Sequence, residues 1–336
     1  MFAIIGAGAW GTALAVHLGK AGWPAKLWDI DRTHVANLLS DRENKRYLPG
    51  VSLPSCVQPM EELETAVRGA ECVLLVTPSS ALRGTFRRLK PLLTRGMRLC
   101  CASKGLEVES GLLTHQVAAE ELGADFPLAA VSGPTFATEV AAGRPAAITV
   151  ASGSAELAGW LALKLNSGAV RAYVSGDVTG VEVGGATKNV IAIGAGLSDG
   201  LGYGANARAA LLCRGLAEIV RLGVALGGRA SSFMGLAGLG DLALTCSDDQ
   251  SRNRRLGLKV ARGTPVEKAL EELGQVTEGL YAADAVHRLS RRLDLDLPIS
   301  EQVYQVLHRG RDPGKVLKAL LSRPLKSEDE VPVAAA

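Results

Sequence analysis

The chain has few aromatic side chains, 4% of its 336 residues, and no excess of one charge, since 37 basic and 34 acidic side chains leave a net +3. So even a balance offers no broad field for a nucleic acid or a membrane surface, and any phosphate recognition has to be local. No apolar run reaches the roughly 18 residues that a membrane-crossing helix needs, so no integral membrane segment is expected. None of the six cysteines, Cys56, Cys72, Cys100, Cys101, Cys213 and Cys246, belongs to a C-x-x-C pair. Free thiols in a reducing compartment are the simpler expectation, with no metal site. The first residues show no basic lead, apolar stretch and cleavage site, so the expected location is the cytoplasm.

Glycine and alanine are abundant instead, which suits tight turns and closely packed helices. The length exceeds the usual size of one hydrophobic core, so two domains are expected. Up to about residue 178, short apolar runs alternate with amphipathic segments: "FAIIGAG", "AKLWD", "CVLLVTP", "MRLCCASKG", "LAAVSGP" and "AAITVAS". Runs this short, bounded by Gly, Pro, Ser or Asp, predict buried parallel strands, with crossover helices near 12–21, 34–39, 60–67, 81–93 and 111–122. Beyond residue 179 the strand signal stops, and 181–198, 206–226, 266–273, 279–292, 300–308 and 313–321 read as helices. The expected fold is therefore α/β plus all-α: a Rossmann-type doubly wound sheet over residues 1–179, followed by a helical domain over 180–323. Residues 324–336 have no pattern and are expected to form a loose tail.

The stretch "IIGAGAWGTA" places Gly6, Gly8 and Gly11 as G-x-G-x-x-G between a strand and a helix. Glycines there allow the turn, the approach of a pyrophosphate and close helix packing, while the helix start offers N–H groups to the anion. About twenty residues beyond, Asp29 ends the second strand, where an acid hydrogen-bonds an adenine ribose; this favours NAD. Arg32 stands close enough to meet the 2′-phosphate of NADP instead. Trp10, at a free position of the motif, either packs or screens the nicotinamide from water.

Lys104 in "CCASKGLE" follows a strand at the carboxyl edge, where open α/β sheets bind ligands. "SGPTFATEV" supplies another small-residue turn, with Gly133, Thr135 and Ala137 near the same edge. Lys188 is the only charged side chain between Glu182 and Asp199, on a helix rich in Gly and Ala. Either the lysine snorkels to solvent, or it is desolvated, which lowers an ammonium's pKa toward neutrality, where it can exchange a proton with a substrate oxygen. Asn189 beside it is either a positioning group or a surface amide. In "GLAGLGDLALTC", Asp241 either orients the lysine or caps a helix, with Thr245 one turn later on the same face. Ser251, Arg252 and Asn253 form a compact set of phosphate donors or a solvated basic loop. "GQVTEGLYAA" reads as a helix start, with Thr277 as cap and Glu278 in the first turn.

Taken in order, G-A-G-A-W-G, S-K-G, S-G-P-T-F-A, K-N-V, G-L-G-D-L-x-L-T-C, S-R-N and V-x-E-G resemble the NAD(P)-dependent glycerol-3-phosphate dehydrogenases of the bacterial type, from Phe2 to about Leu321. The resemblance implies an oxidoreductase that interconverts dihydroxyacetone phosphate and sn-glycerol 3-phosphate, for phospholipid synthesis, as a homodimer. It makes Lys188 the proton acceptor in oxidation and donor in reduction, supported by Asp241. Lys104 would touch substrate and cofactor, near Gly133 and Thr135. Ser251, Arg252 and Asn253 match the substrate-phosphate segment, and Arg252 also meets the cofactor. Ala9, Trp10, Ala137, Val276 and Glu278 match cofactor-contacting positions, Trp10 on the nicotinamide side.

The sequence departs from the family at Ile30, where many NADPH-accepting members carry a basic residue. NAD is therefore expected to serve at least as well as NADP. Two other readings share the expected fold: a reductase of the β-hydroxyacid or ketopantoate type, which acts on carboxylates and has no use for the S-R-N segment, and a catalytically silent NAD-binding sensor.

Overall fold

The structure, a computed structural model, describes residues 1–124, 126–324 and 328. Its first part runs β1 (Phe2–Ile5), α1 (Ala9–Lys20), β2 (Ala25–Trp28), α2 (Arg32–Asp41), β3 (Val57–Met60), α3 (Leu63–Val67), β4 (Cys72–Leu75), α4 (Leu82–Leu89), β5 (Arg98–Cys101), α5 (Thr114–Leu122), β6 (Leu128–Ser132), α6 (Ala137–Ala141), β7 (Ala146–Ser152), α7 (Ala155–Leu165) and β8 (Val170–Ser175). The rest is helical: α8 (Val178–Gly200), α9 (Gly204–Ala225), α10 (Ala230–Phe233), α11 (Asp241–Ser247), α12 (Arg252–Ala261), α13 (Val266–Leu273), α14 (Glu278–Arg292), α15 (Pro298–Arg309) and α16 (Pro313–Leu321). Residues 325–327 and 329–336 of the expected loose tail lie outside the described residues.

The strands form one sheet in the order β3-β2-β1-β4-β5-β6-β7-β8. Strand order reverses between β1 and β4, and that crevice is where doubly wound folds bind nucleotides. The central strands are apolar on both faces because helices cover both sides: Ile4, Ile5, Leu27, Leu74 and Leu75 are fully buried. The expected architecture is present, a Rossmann-type sheet followed by helices.

Three details differ from the sequence-based expectation. β7 pairs antiparallel with β6, and β8 runs parallel to β7. Gly133 turns the chain at φ +148°, so close to β7 that a Cβ would lie 2.7 Å from the Ala147 carbonyl oxygen. The connection carries only the five-residue α6, which packs beside α1 rather than crossing the sheet, so the chain re-enters from the carboxyl edge. Second, Met60 ends β3 rather than starting a helix; Pro59 is tolerated there because β3 is an edge strand. Third, Arg252 opens a helix instead of a loop, because the Ser251 side chain caps α12 by accepting the Arg254 N–H at 3.2 Å.

The helical part is built around α8, buried for most of its length. Its start is set by Asp177, whose carboxylate accepts the N–H groups of Gly180 and Arg229 and the Ser232 hydroxyl at 2.9, 2.8 and 2.6 Å. Glycines let α12 lie directly on α8: a Cβ on Gly196 would stand 2.0 Å from the Arg254 carbonyl oxygen, and one on Gly257 2.1 Å from that of Ile193. α13 and α15 end on Gly274 and Gly310 in the left-handed conformation, as the glycine positions predict.

Candidate active site

Three charged side chains from separate elements meet at the carboxyl edge of the sheet. Lys104 leaves the turn after β5, where the Ser103 hydroxyl donates to the Thr77 carbonyl at 2.6 Å and ties the ends of β4 and β5 together. Lys188 projects from the middle of α8. Asp241 is the first residue of α11, after a single π-helical turn, Leu236–Gly240, that lies directly on α8 because α8 carries a glycine there; a Cβ on Gly184 would lie 2.5 Å from the Ala237 carbonyl oxygen. The N-cap position belongs to Gly240, so of the two roles open to Asp241 the structure has the lysine-orienting one.

One Asp241 oxygen accepts Lys104 Nζ at 2.8 Å and the other accepts Lys188 Nζ. Lys188 also donates to Thr245 Oγ1 at 2.9 Å, and Lys104 to the Gly133 carbonyl at 2.9 Å. Thr245 in turn donates to the Asp241 backbone carbonyl at 2.6 Å. Asp241 and Lys188 are both buried. Burial pulls the Lys188 ammonium down to about 8; Asp241 opposes this and the Lys104 charge adds to it. For Asp241, burial works upward, but the ammoniums of Lys104 and Lys188 outweigh it and hold the carboxyl below its ordinary value. Two positive charges share one negative, so the cluster carries a surplus cation, the kind of charge that stabilises an oxyanion.

The S-R-N segment starts α12 next to this cluster. Arg252, its pKa lowered by burial, donates to Gln275 Oε1 at 3.0 Å. Asn253 spans two helices, donating to Asn189 Oδ1 at 2.9 Å and accepting the Gly279 N–H at 2.9 Å. Asn189 is therefore a buried link, itself donating to the Gly185 carbonyl at 3.3 Å, rather than a surface amide. Ser251 is buried at the helix cap.

On the sheet side, the glycine turn has the shape a pyrophosphate needs. Gly6 takes φ +112°, with Val76 O only 2.7 Å from where a Cβ would stand, and a Cβ on Gly11 would meet the Gly6 carbonyl at 1.9 Å. A Cβ on Gly8 would meet nothing within 4 Å, and Gly8 leaves the start of α1 without a side-chain cap. Open space thus faces first-turn N–H groups, beginning with Ala9, which fits the anionic part of a dinucleotide. Asp29 accepts the Ala7 N–H at 2.7 Å and the Asp31 N–H at 3.1 Å. Arg32 is exposed and paired with Glu62 at 2.6 Å. Trp10 packs against the small cluster of Ala13, Leu48 and Ala141, and its buried indole N–H finds no partner among the described residues. Ala137 begins α6, while Thr135 donates to the Gly133 carbonyl at 3.1 Å. Val276 is exposed. Thr277 occupies the N-cap of α14 without a side-chain cap bond, and both Glu278 oxygens accept from Ser79.

Sequence reasoning missed Ser79, Ser103 and Gln275, which hold these groups in place. Ser79 and Ser103 follow β4 and β5 at the carboxyl edge, so strand-end position was a usable signal; nothing in the sequence marks Gln275. Among the described residues no helix is long and apolar enough to cross a membrane.

A doubly wound sheet with a glycine turn at its crevice, joined to a helical unit that presents a buried lysine, defines the class of nicotinamide-dependent dehydrogenases. Family models narrow it: the NAD-dependent glycerol-3-phosphate dehydrogenase N-terminus matches residues 1–158, and the corresponding C-terminus matches 177–318. The chain belongs to this family. It is 50% identical over 326 residues to the glycerol-3-phosphate dehydrogenase [NAD(P)+] of Shewanella halifaxensis, covering 97% of this chain and 96% of that one. To its counterpart in Aeromonas hydrophila it is 51% identical, covering 97% and 98%. The crystal structure of glycerol-3-phosphate dehydrogenase from Coxiella burnetii matches with TM-score 0.94 at 42% identity, over 96% of this chain and 98% of that one. A ketopantoate reductase from Ralstonia eutropha shares the fold at TM-score 0.60 and 18% identity.

Proposed function

We propose that the chain interconverts dihydroxyacetone phosphate and sn-glycerol 3-phosphate with NAD(H) or NADP(H), supplying glycerol 3-phosphate for phospholipid synthesis. The observation that carries this reading is Lys188, buried, drawn down to about 8 and clamped by Asp241 and Thr245 beside the S-R-N segment. When bound, the cofactor exchanges a hydride with C2 of the substrate. Lys188 gives the C2 oxygen its proton in reduction and takes it back in oxidation. Asp241 keeps the ammonium aimed, Thr245 limits its rotation, and Lys104 adds positive charge where the alkoxide develops. Ser251, Arg252 and Asn253 hold the phosphate, with Gly133, Thr135 and Asn189 shaping the pocket. A phosphate so held fixes C2 for reaction, so dihydroxyacetone itself is a poor substrate.

In this reading residues 1–179 hold the cofactor and 180–323 the substrate. Gly6, Gly8, Ala9, Trp10 and Gly11 take the pyrophosphate and nicotinamide side, and Ala137, Arg252, Val276 and Glu278 close over it. Asp29 meets the adenine ribose. Arg32 already serves Glu62, so a 2′-phosphate has to compete for it, and NAD is the better cofactor. The active form is a cytoplasmic homodimer, which light scattering would refute by returning the mass of a single chain.

The deciding measurement is the initial rate of dihydroxyacetone phosphate reduction with NADH and with NADPH, for the natural chain and Lys188→Ala. Rapid turnover, better with NADH and lost by at least ~100-fold in the variant, is expected. Cofactor binding without turnover would instead leave a sensor, and turnover of a 2-keto acid unaffected by inorganic phosphate would leave a reductase of the β-hydroxyacid or ketopantoate type.

A further inference from the structure

One buried side chain outside the lysine cluster joins the sheet to the helical part next to the phosphate-binding segment. Ser79, in the turn after β4, donates its N–H to one Glu278 oxygen at 3.1 Å and its hydroxyl to the other at 2.6 Å. Gly105, beside Lys104, packs on this pair so closely that a Cβ would stand 2.5 Å from Ser79 Cβ and 2.9 Å from Glu278 Oε2. Ser79 thus touches the turn that carries Lys104 and the residue that starts α14. Gln275, three positions before Glu278, receives the Arg252 guanidinium at 3.0 Å. Residues 275–277 belong to no helix or strand, so the position of Gln275 depends on how this short segment is anchored at Gly274 and at Glu278. Glu278 also attracts Arg252 directly through its charge.

We propose that Ser79 is a positioning residue for recognition of the substrate phosphate: by holding Glu278 it sets where Gln275 presents Arg252 relative to Lys104 and Lys188. The proposal rests on the reading of Arg252 as the phosphate clamp. Ser79 itself touches no reacting atom. Its loss lets the 275–278 segment and the guanidinium drift, while the Lys188–Asp241–Thr245 cluster stays intact.

The test compares the natural chain, Ser79→Ala and Gln275→Ala on two substrates, dihydroxyacetone phosphate and dihydroxyacetone, together with competitive inhibition by inorganic phosphate. Ser79→Ala is expected to lose roughly tenfold or more in kcat/KM for the phosphorylated substrate, chiefly through KM. Inhibition by phosphate should weaken in step, and kcat/KM for dihydroxyacetone, measured at saturating NADH because Arg252 and Glu278 also face the cofactor, should stay where it was. Gln275→Ala, a change at a half-buried residue, should reproduce this selective loss, and it decides alone if Ser79→Ala does not fold. Equal losses on both substrates would mean a merely structural latch and overturn the proposal, as would unchanged kinetics or a change confined to KM for NADH. A natural chain that does not reduce dihydroxyacetone phosphate at all would overturn the parent reading, a result distinct from any of these.

Discussion

Lys188 stands close to neutrality through opposing effects: burial and the Lys104 charge favour the amine, and Asp241 favours the ammonium. The sign of the pH dependence follows. Below about 8 the protonated form dominates and can give its proton to a ketone; above it the neutral amine can accept one. The rate of ketone reduction should therefore fall as pH rises through this region, and that of alcohol oxidation should rise. Asp241→Asn removes the charge that holds the ammonium up, so both inflections should move to lower pH in that variant. Profiles of kcat in both directions check this, and an unmoved inflection would show that another group titrates. Lys188 and Asp241 could be chosen from the sequence because a lone charge on a Gly/Ala helix and an acid after clustered glycines are local patterns. That one carboxylate serves both Lys104 and Lys188 was not legible, since the three residues are 84 and 53 positions apart along the chain and meet only after packing.

α8 and α12 touch backbone to backbone, which only glycine permits at the crossing points. Gly257→Ala would push a methyl group to 2.1 Å from the Ile193 carbonyl oxygen, on a helix that cannot give way without moving Lys188. It should destabilise the protein by about 1–3 kcal/mol, read as a lower urea midpoint at unchanged m-value. Gly159→Ala in α7 is the control: a Cβ there meets nothing within 4 Å, so the gain in helix propensity should stabilise by up to about 1 kcal/mol. If both behave alike, close packing is not what the α12 glycine provides. Elements with clean apolar periodicity or glycine stops were readable from the sequence, α13, α15 and α16 among them. β3 and β8 were not, because Pro59 interrupts one and the exposed Arg171, Tyr173 and Val174 break the buried pattern of the other. Strand direction is a property of the connection rather than of the strand, which is why the reversal of β7 escaped the apolar run "AAITVAS".

For the molecule as a whole, cofactor binding is linked to stability whether or not chemistry follows. NADH at a hundred times its Kd should stabilise the folded chain by about 2.7 kcal/mol, seen as a rise in thermal midpoint. Lys188→Ala should keep that rise while losing turnover, because the glycine turn and Asp29 lie on the sheet and not on α8. Loss of both would mean that the lysine holds the fold or the cofactor rather than the proton.

Composition, periodicity and the order of short motifs were enough to determine a Rossmann-type sheet and a helical second half and to pick out the side chains proposed for the chemistry, since each rests on residues adjacent in the chain. Packing was needed for everything that depends on distance: the shared carboxylate, the antiparallel return of β7, the Asn189–Asn253–Gly279 link, Arg32 turned to Glu62, and the bridge from Ser79 to Glu278. Side chains remote in sequence become neighbours only when helices and sheet have closed on one another, and no local pattern encodes the separation that results.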